Sequence, residues 1–233
     1  MILLGIDTST NACSVSLMED DKLLGEIILN HKKTHSKKLM PSIEFLLKSV
    51  ELKVDDIDAI AISIGPGSFT GLRIGLSTAK ALCQAKDKKL IKIDTLDSLA
   101  YNAIEENCII IPLLDAQRDN LYCKYFDIKD GKLNALTETK VKNIDEIIEY
   151  IKTSDKKCIL LGEGYLKHKE KFDELDNIIK KTSNNNVLRA SSMFDIAKEK
   201  FAKEEFEDYY TSTPVYIRKS QAEVQYEERK NKL

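Results

Sequence analysis

Residues 59–85 read AIAISIGPGSFTGLRIGLSTAKALCQA, and no other stretch limits the fold as strongly. A short, largely apolar run with β-branched residues suits an inner strand covered on both faces, as in a parallel sheet. It stops at Gly65-Pro66-Gly67, where two residues free to take positive φ flank a fixed proline φ and turn the chain sharply. Ser68 or Thr70 then caps a helix that starts near Gly71. Backbone N–H groups at such a turn are free to face an anion. Spacing nevertheless excludes three familiar sites. A P-loop needs Gly-Lys-Ser/Thr where Gly71-Leu72-Arg73 stands, a dinucleotide fingerprint needs its third glycine one residue earlier, and a nucleophile elbow needs G-x-S-x-G, whereas Ser68 directly follows Gly67.

The helix itself carries Gly71, Gly75 and Ala79 at i, i+4 and i+8, beside an apolar stripe of Leu72, Leu76 and Cys83. The two glycines weaken an isolated helix by roughly 2 kcal/mol relative to alanine. A face without side chains lets another backbone approach closely, and that backbone can belong to a partner or to the chain's own fold. A second helix, beginning near residue 38 or 39 because Pro41 is tolerated only in a first turn, places Leu39, Ile43, Leu47 and Val50 on one stripe and Phe45 off it. An exposed Phe45 would enlarge a contact surface beside the small-faced helix; packing inside the core is the plainer alternative.

At 233 residues with a net charge of -2 the chain can bury a sizeable core, and it shows no global attraction to nucleic acid or membrane. No apolar run approaches roughly 18 residues and the N-terminus enters a strand directly, so a cytoplasmic protein without a membrane segment is expected. Cys13, Cys83, Cys108, Cys123 and Cys158 are odd in number and scattered, as buried reduced thiols would be. His31 and His35 have ligand spacing, but Lys32 and Lys33 between them repel a cation and nothing else supports a metal site. The same basic run, with Lys37 and Lys38, reads as a solvated loop.

In order, the chain opens with strands at 1–6, 12–18 and 22–29, and Asp7-Thr8-Ser9-Thr10 turns between the first two. A strand, a hydroxyl-rich turn led by aspartate and antiparallel strands open the actin-like nucleotide-binding folds, where the turn faces phosphate and metal. Asp7 closing its own turn is the local alternative. A strand at 89–93 and a helix of about twelve residues follow. Then 109–115, IIIPLLD, echoes 2–7, ILLGID, and Gly131-Lys132-Leu133 echoes Asp21-Lys22-Leu23. This weak internal duplication predicts an α/β fold of two lobes, each with a mixed sheet and helices. The first lobe is drawn at 1–104, joined by 212–233, and a reduced second lobe at 105–211. The remainder reads as a helix at 144–151, a strand at 158–161, a loop at 183–186, an amphipathic helix at 193–204 and a charged end at 223–233. In the second lobe Asp115, Arg118 and Asp119 follow the strand that lines the cleft, but Gln117 and Arg118 are bulky where phosphates need close access. Arg118 is expected to pair with Asp115 or to reach an anion.

The segments ILLGIDTSTNACSVSL, ISIGPGSFTGLRIGLSTAKAL, LLDAQRDNLY and PVYIR, in this order across nearly the whole chain, resemble the TsaB (YeaZ) family of bacterial tRNA threonylcarbamoyladenosine biosynthesis proteins. GPGSFTGLRIG is the most diagnostic of them. The resemblance implies an actin-like (ASKHA) fold and a non-catalytic accessory role beside the related catalytic subunit TsaD and the ATPase TsaE. Their joint product is the N6-threonylcarbamoyl group on adenosine 37 of tRNAs reading codons that start with A. The catalytic relative carries an H-x-E-x-H-like metal motif after its fifth strand; here Thr95 and Leu99 stand about where the ligands would be, so no metal site and no activity of the chain alone are expected. The resemblance also implies pairing through the first two helices, with Leu39, Ile43, Phe45, Gly71, Leu72, Gly75, Leu76 and Ala79 facing TsaD, or a second copy in a homodimer when the chain is alone. Asp7, Thr8, Ser9, Thr10, Asp115 and Arg118 are then a vestigial phosphate site, with no required cofactor and at most weak ATP or ADP binding. The alternative is an actin-like ATP-dependent enzyme using those same residues. A glycoprotease reading finds neither a metal cluster nor a plausible nucleophile-base pair in this sequence.

Overall fold

The computed structural model describes residues 1–31, 34–218 and 230. In the first half β1 (Ile2–Asp7), β2 (Cys13–Glu19) and β3 (Lys22–Leu29) form an antiparallel meander. β4 (Ala59–Ser63) and β5 (Lys89–Ile93) join in parallel on the other side of β1, giving the order β3-β2-β1-β4-β5. The second half repeats the plan around β6 (Cys108–Asp115), with β7 (Asn120–Cys123) antiparallel on one side and β11 (Lys157–Leu161) parallel on the other. β10 (Lys140–Asn143) and β12 (Ile178–Ile179) complete that row, while β8 (Phe126–Lys129) pairs with β6 and with β9 (Lys132–Ala135). Two lobes with one shared plan are the actin-like architecture expected from the duplicated pattern.

Side-chain alternation explains why the inner strands read as continuously apolar. Leu4, Ile6, Ile60 and Ile62 pack toward α1 (His35–Ser49) and α2 (Phe69–Lys86), whereas Leu3, Ala59, Ala61, Ile91 and Ile93 pack toward α7 (Phe194–Ala202). Exposing either face would forfeit about 1.5–3 kcal/mol for each Leu or Ile, so both faces are covered. Residues 190–202, drawn with the second lobe from the sequence, therefore lie on the first sheet. In the second lobe Cys108, Ile110 and Leu114 face α3 (Thr95–Ala100), while Ile109, Ile111 and Leu113 face α4 (Ile144–Thr153) and the short α5 (Glu163–Lys167) and α6 (Lys169–Asp173).

Two elements depart from the sequence reading. α1 begins at His35, ahead of Pro41, because the proline removes one main-chain bond while Lys38 secures the first turn. The buried Lys38 ammonium donates to the carbonyls of Asn11, Leu29 and His31 at 3.4, 3.1 and 3.2 Å. His31 is exposed ahead of that helix, so it shares no helical face with His35; Lys32 and Lys33 lie outside the described residues. The helix after β5 ends at Ala100 and gives way to a 3-10 turn at Tyr101–Ala103, where the Asn102 amide donates to the carbonyls of Asn185 and Val187 at 2.9 and 2.8 Å. The charged end at 223–233 lies outside the described residues apart from Lys230. All five cysteines are free and buried. No helix of the described residues is long and apolar enough to cross a membrane.

Candidate functional site: a filled cleft and a helical face

The turn that would face phosphate in an actin-like fold is consumed by the chain itself. Asp7 is fully buried at the end of β1. Its Oδ2 accepts the Ser63 hydroxyl, and its Oδ1 accepts the Ser9 N–H at 3.0 Å and the Ser9 hydroxyl at 2.9 Å. Burial pushes its carboxyl above the usual range, against those three hydrogen bonds. Thr8, also fully buried, donates its hydroxyl to the Gly71 carbonyl at 2.7 Å, and the Ser68 N–H donates to the Ser9 carbonyl at 2.6 Å. Thr10 is nearly buried as well. The glycine-rich turn thus sits on the Asp7–Thr10 turn. A Cβ on Gly67 would lie 2.3 Å from the Ser9 carbonyl oxygen, which is why that position is glycine. Of Ser68 and Thr70, Ser68 is the cap of α2, and its Oγ accepts the Gly71 N–H at 3.2 Å.

The second-lobe turn is built differently from the sequence expectation. Asp115 pairs with Lys167 of α5, at 2.9 and 3.0 Å, rather than with Arg118, which is exposed. The reason is local: Gln117, Arg118 and Asp119 take left-handed φ values of 65, 54 and 58° in succession, held by the Asn120 amide on the carbonyls of Gln117 and Arg118. Glu163, at the start of α5, has its carboxyl pushed up by burial first, then by Asp115, against the pull of Lys167; Asp7 adds to the rise from across the cleft. Asp7 and Asp115 are thus both engaged within the chain, Asp7 by Ser9 and Ser63 and Asp115 by Lys167. Sequence reading missed Glu163 and Lys167, and their only signal was that they follow the strand paired to β6. Among the described residues no group of three or more His, Cys, Asp or Glu is placed to hold a metal ion.

Thr95 and Leu99 on α3 are fully buried. The helix is capped by Asp94, whose Oδ1 accepts the N–H groups of Leu96 and Asp97 at 2.7 and 3.3 Å and whose Oδ2 accepts the Thr139 hydroxyl at 3.2 Å. Burial, followed by the neighbouring Asp97, pushes the Asp94 carboxyl from 3.8 up to about 6. Between those values the folded chain holds a proton that the unfolded chain has lost, so this group's contribution to stability falls as pH rises across that window. Asparagine keeps the cap acceptor and cannot ionise. Asp94→Asn should match the parent near pH 4 and melt higher at pH 7, by up to about 3 kcal/mol of stability. Thermal unfolding across this range tests it; a parent-variant difference that does not grow with pH would refute it.

The pairing residues inferred from the resemblance divide sharply. Leu39, Ile43, Leu72, Leu76 and Ala79 are all core residues, at most 4% exposed. Gly71 and Gly75 are buried against Thr8: a Cβ there would stand 2.0 Å from the Thr8 carbonyl oxygen and 2.3 Å from its Oγ1. The backbone that approaches the small-residue face is therefore the chain's own β1–β2 turn. Of the eight residues, Phe45 alone stands out in solvent, at 65% exposure, with Met40 at 47% and exposed Pro41 on the same helix. The neighbouring outer positions of α2, Thr70, Arg73, Ser77 and Ala81, are also exposed.

Comparison with known proteins agrees with this architecture. A family model described as TsaD, tRNA N6-adenosine threonylcarbamoyltransferase, matches residues 22–226. The tRNA threonylcarbamoyladenosine biosynthesis protein TsaB of Bacillus subtilis (strain 168) is 29% identical over 229 residues, covering 97% of this chain and 98% of that one. Its namesake in Escherichia coli (strain K12) is 27% identical over 227 residues, covering 95% and 96%. The structure of YeaZ from Pseudomonas aeruginosa superposes with a TM-score of 0.78 at 23% identity, covering 93% of this chain and 99% of that one, a likeness of fold. The chain belongs to the family described as TsaD, tRNA N6-adenosine threonylcarbamoyltransferase, and within it to the TsaB (YeaZ) type.

Proposed function

We propose that this chain is an accessory subunit of the machinery that installs N6-threonylcarbamoyladenosine in tRNA, and that it supports the catalytic subunit TsaD through the outer face of α1 and α2. The observation that carries the reading is that the polar groups of the Asp7–Ser9 turn are taken up within the chain. In a chain matched by a threonylcarbamoyltransferase family model, the phosphate-facing turn is bonded to the chain's own glycine-rich turn. At the positions where the resemblance puts metal ligands stand the buried Thr95 and Leu99, neither of them a good ligand. What remains available for function is surface, and Phe45 is the most exposed large apolar side chain on α1. TsaE and tRNA then meet this chain through the complex, no cofactor is required by it, and a second copy covers the same face when TsaD is absent. The same reading places the protein in the cytoplasm.

Reconstitution tests this. TsaD and TsaE with tRNA, ATP and the threonylcarbamoyl donor should form the modified nucleoside only when this chain is added, and the mass of the mixture should show it bound to TsaD. Equal product without the chain would refute the accessory role. Tight Mg-ATP binding with turnover by the isolated chain, lost in Asp7→Ala, would instead establish an actin-like ATP-dependent enzyme.

A further inference from the structure

After α7 the chain doubles back along the first lobe and reaches the second. The Glu207 N–H donates to the Leu90 carbonyl at 2.9 Å, an antiparallel bridge on the edge of β5. The Lys80 ammonium on α2 takes the carbonyls of Tyr210 and Ser212 at 3.0 and 3.1 Å. The Val215 N–H donates to the Ile64 carbonyl at 2.9 Å, directly before the glycine-rich turn. Gly65, with φ at +123°, has no room for a Cβ, which would meet the Val215 carbonyl oxygen at 2.6 Å. Tyr216 lies flat on Phe69, with ring centroids 4.5 Å apart and planes 4° from parallel, and its hydroxyl accepts the Arg73 Nε–H at 2.8 Å. Two residues later the Arg218 guanidinium donates to the Ala116 carbonyl and lies 3.5 Å from the Gln117 carbonyl oxygen, in the turn that ends β6.

One continuous segment is thus seated on the glycine-rich turn of the first lobe and on the turn that ends β6 in the second. The chain's own return from the second-lobe core at Leu188 to the first sheet at Ala190 is internal. There the Ala190 N–H donates to the Ser14 hydroxyl at 2.8 Å, and the Ala190 carbonyl packs so closely on Gly5 that a Cβ would stand 2.9 Å away. That junction is buried and sterically full, whereas Arg218 reaches its carbonyls at the surface, and Tyr216 is 39% exposed.

We propose that residues 207–218 are an interlobe latch: Tyr216, clipped between Phe69 and Arg73, holds Arg218 in the second-lobe turn, and the latch fixes the angle between the lobes. This goes beyond the accessory role and does not depend on it, because the latch acts within one chain. A guanidinium with two carbonyl acceptors keeps its charge at any working pH, so the latch is released by displacement of the segment and not by titration.

The test follows the lobes directly. The native cysteines are all buried, so Gln84→Cys on α2 and Glu149→Cys on α4, both exposed, accept a donor and an acceptor dye in the folded chain. Arg218→Ala and Tyr216→Ala should each broaden the interlobe distance distribution, with several-fold faster hydrogen exchange at the Val215 amide in Tyr216→Ala. Arg218→Lys keeps a donor and should restore most of the narrow distribution. Circular dichroism confirms that each variant is folded. A distribution in Arg218→Ala superimposable on the parent's overturns the latch, as does faster exchange at Val215 with the lobes unmoved in Tyr216→Ala.

Discussion

Gly71→Ala should lower the melting temperature by about 6–12 °C, the shift that about 3 kcal/mol produces in a protein of this size. The added methyl would sit 2.0 Å from the Thr8 carbonyl oxygen, 3.2 Å from the Thr8 carbonyl carbon and 3.3 Å from the Ser68 Cβ. The first two are backbone atoms and no rotamer change relieves them. The helix must therefore lift from β1, and two short hydrogen bonds loosen, Thr8 Oγ1 to the Gly71 carbonyl and Ser68 N–H to the Ser9 carbonyl. Overpacking of this kind costs about 1–3 kcal/mol or more, and each lost bond about 1 kcal/mol. Alanine's better helix propensity returns about 1 kcal/mol, which leaves the balance clearly unfavourable. Gly75→Ala should cost less, because its nearest neighbours are the Thr8 hydroxyl at 2.3 Å and the Ile62 methyl at 3.1 Å, side-chain atoms that can yield. Differential scanning calorimetry of the isolated chain decides the matter. Were the small-residue face a docking surface, Gly71→Ala would leave the melting temperature unchanged and weaken only association.

That contrast shows where the sequence stops being informative. The stripe Gly71, Gly75, Ala79 correctly announces a close backbone approach, because nothing else justifies two glycines inside a helix. It does not say whose backbone approaches. The answer is Thr8 and Ser9, more than fifty residues earlier in the chain and invisible to any local window. Strands are legible for the opposite reason: the near-continuous apolar run of an inner strand buried on both faces is written in consecutive residues of β1 and β4, and the echo of 2–7 in 109–115 marks the two central strands β1 and β6. The pairing of Asp115 with Lys167 instead of Arg118 depends on three consecutive left-handed residues, which a sequence of Gln, Arg and Asp gives little reason to expect. Likewise, the amphipathic pattern near residue 194 establishes a helix but not the sheet that it covers. For the glycine stripe and for α7 the local pattern is legible and the tertiary partner is not, whereas at 117–119 the local backbone itself is the missing information.

With the glycine face assigned to the core, the proposed TsaD interface rests on Phe45, and Phe45→Asp should weaken binding to TsaD by about 30-fold or more, the effect of losing an interfacial anchor worth about 2 kcal/mol. The substitution is clean for the isolated chain. Phe45 is 65% exposed and does not belong to the core cluster formed by Leu39, Ile43, Leu46 and Leu47, so stability should change by no more than about 0.5 kcal/mol. Its flanks are electrically neutral, because Glu44 and Lys48 pair with each other at 2.7 Å. An aspartate introduced there would bring an uncompensated charge into any contact that buries the position, adding a desolvation penalty to the lost ring. The modified nucleoside formed at limiting concentrations of the chain should fall by the same factor and recover when the variant is supplied in large excess, because the proposed role leaves the chemistry to the partner. The dissociation constant can be measured by titrating labelled chain with TsaD, using the melting temperature as the control for folding. A Phe45→Asp chain that binds TsaD as tightly as the parent would remove this face from the interface and direct attention to the exposed side chains of the latch segment, Val215 and Ile217, at 47% and 37% exposure.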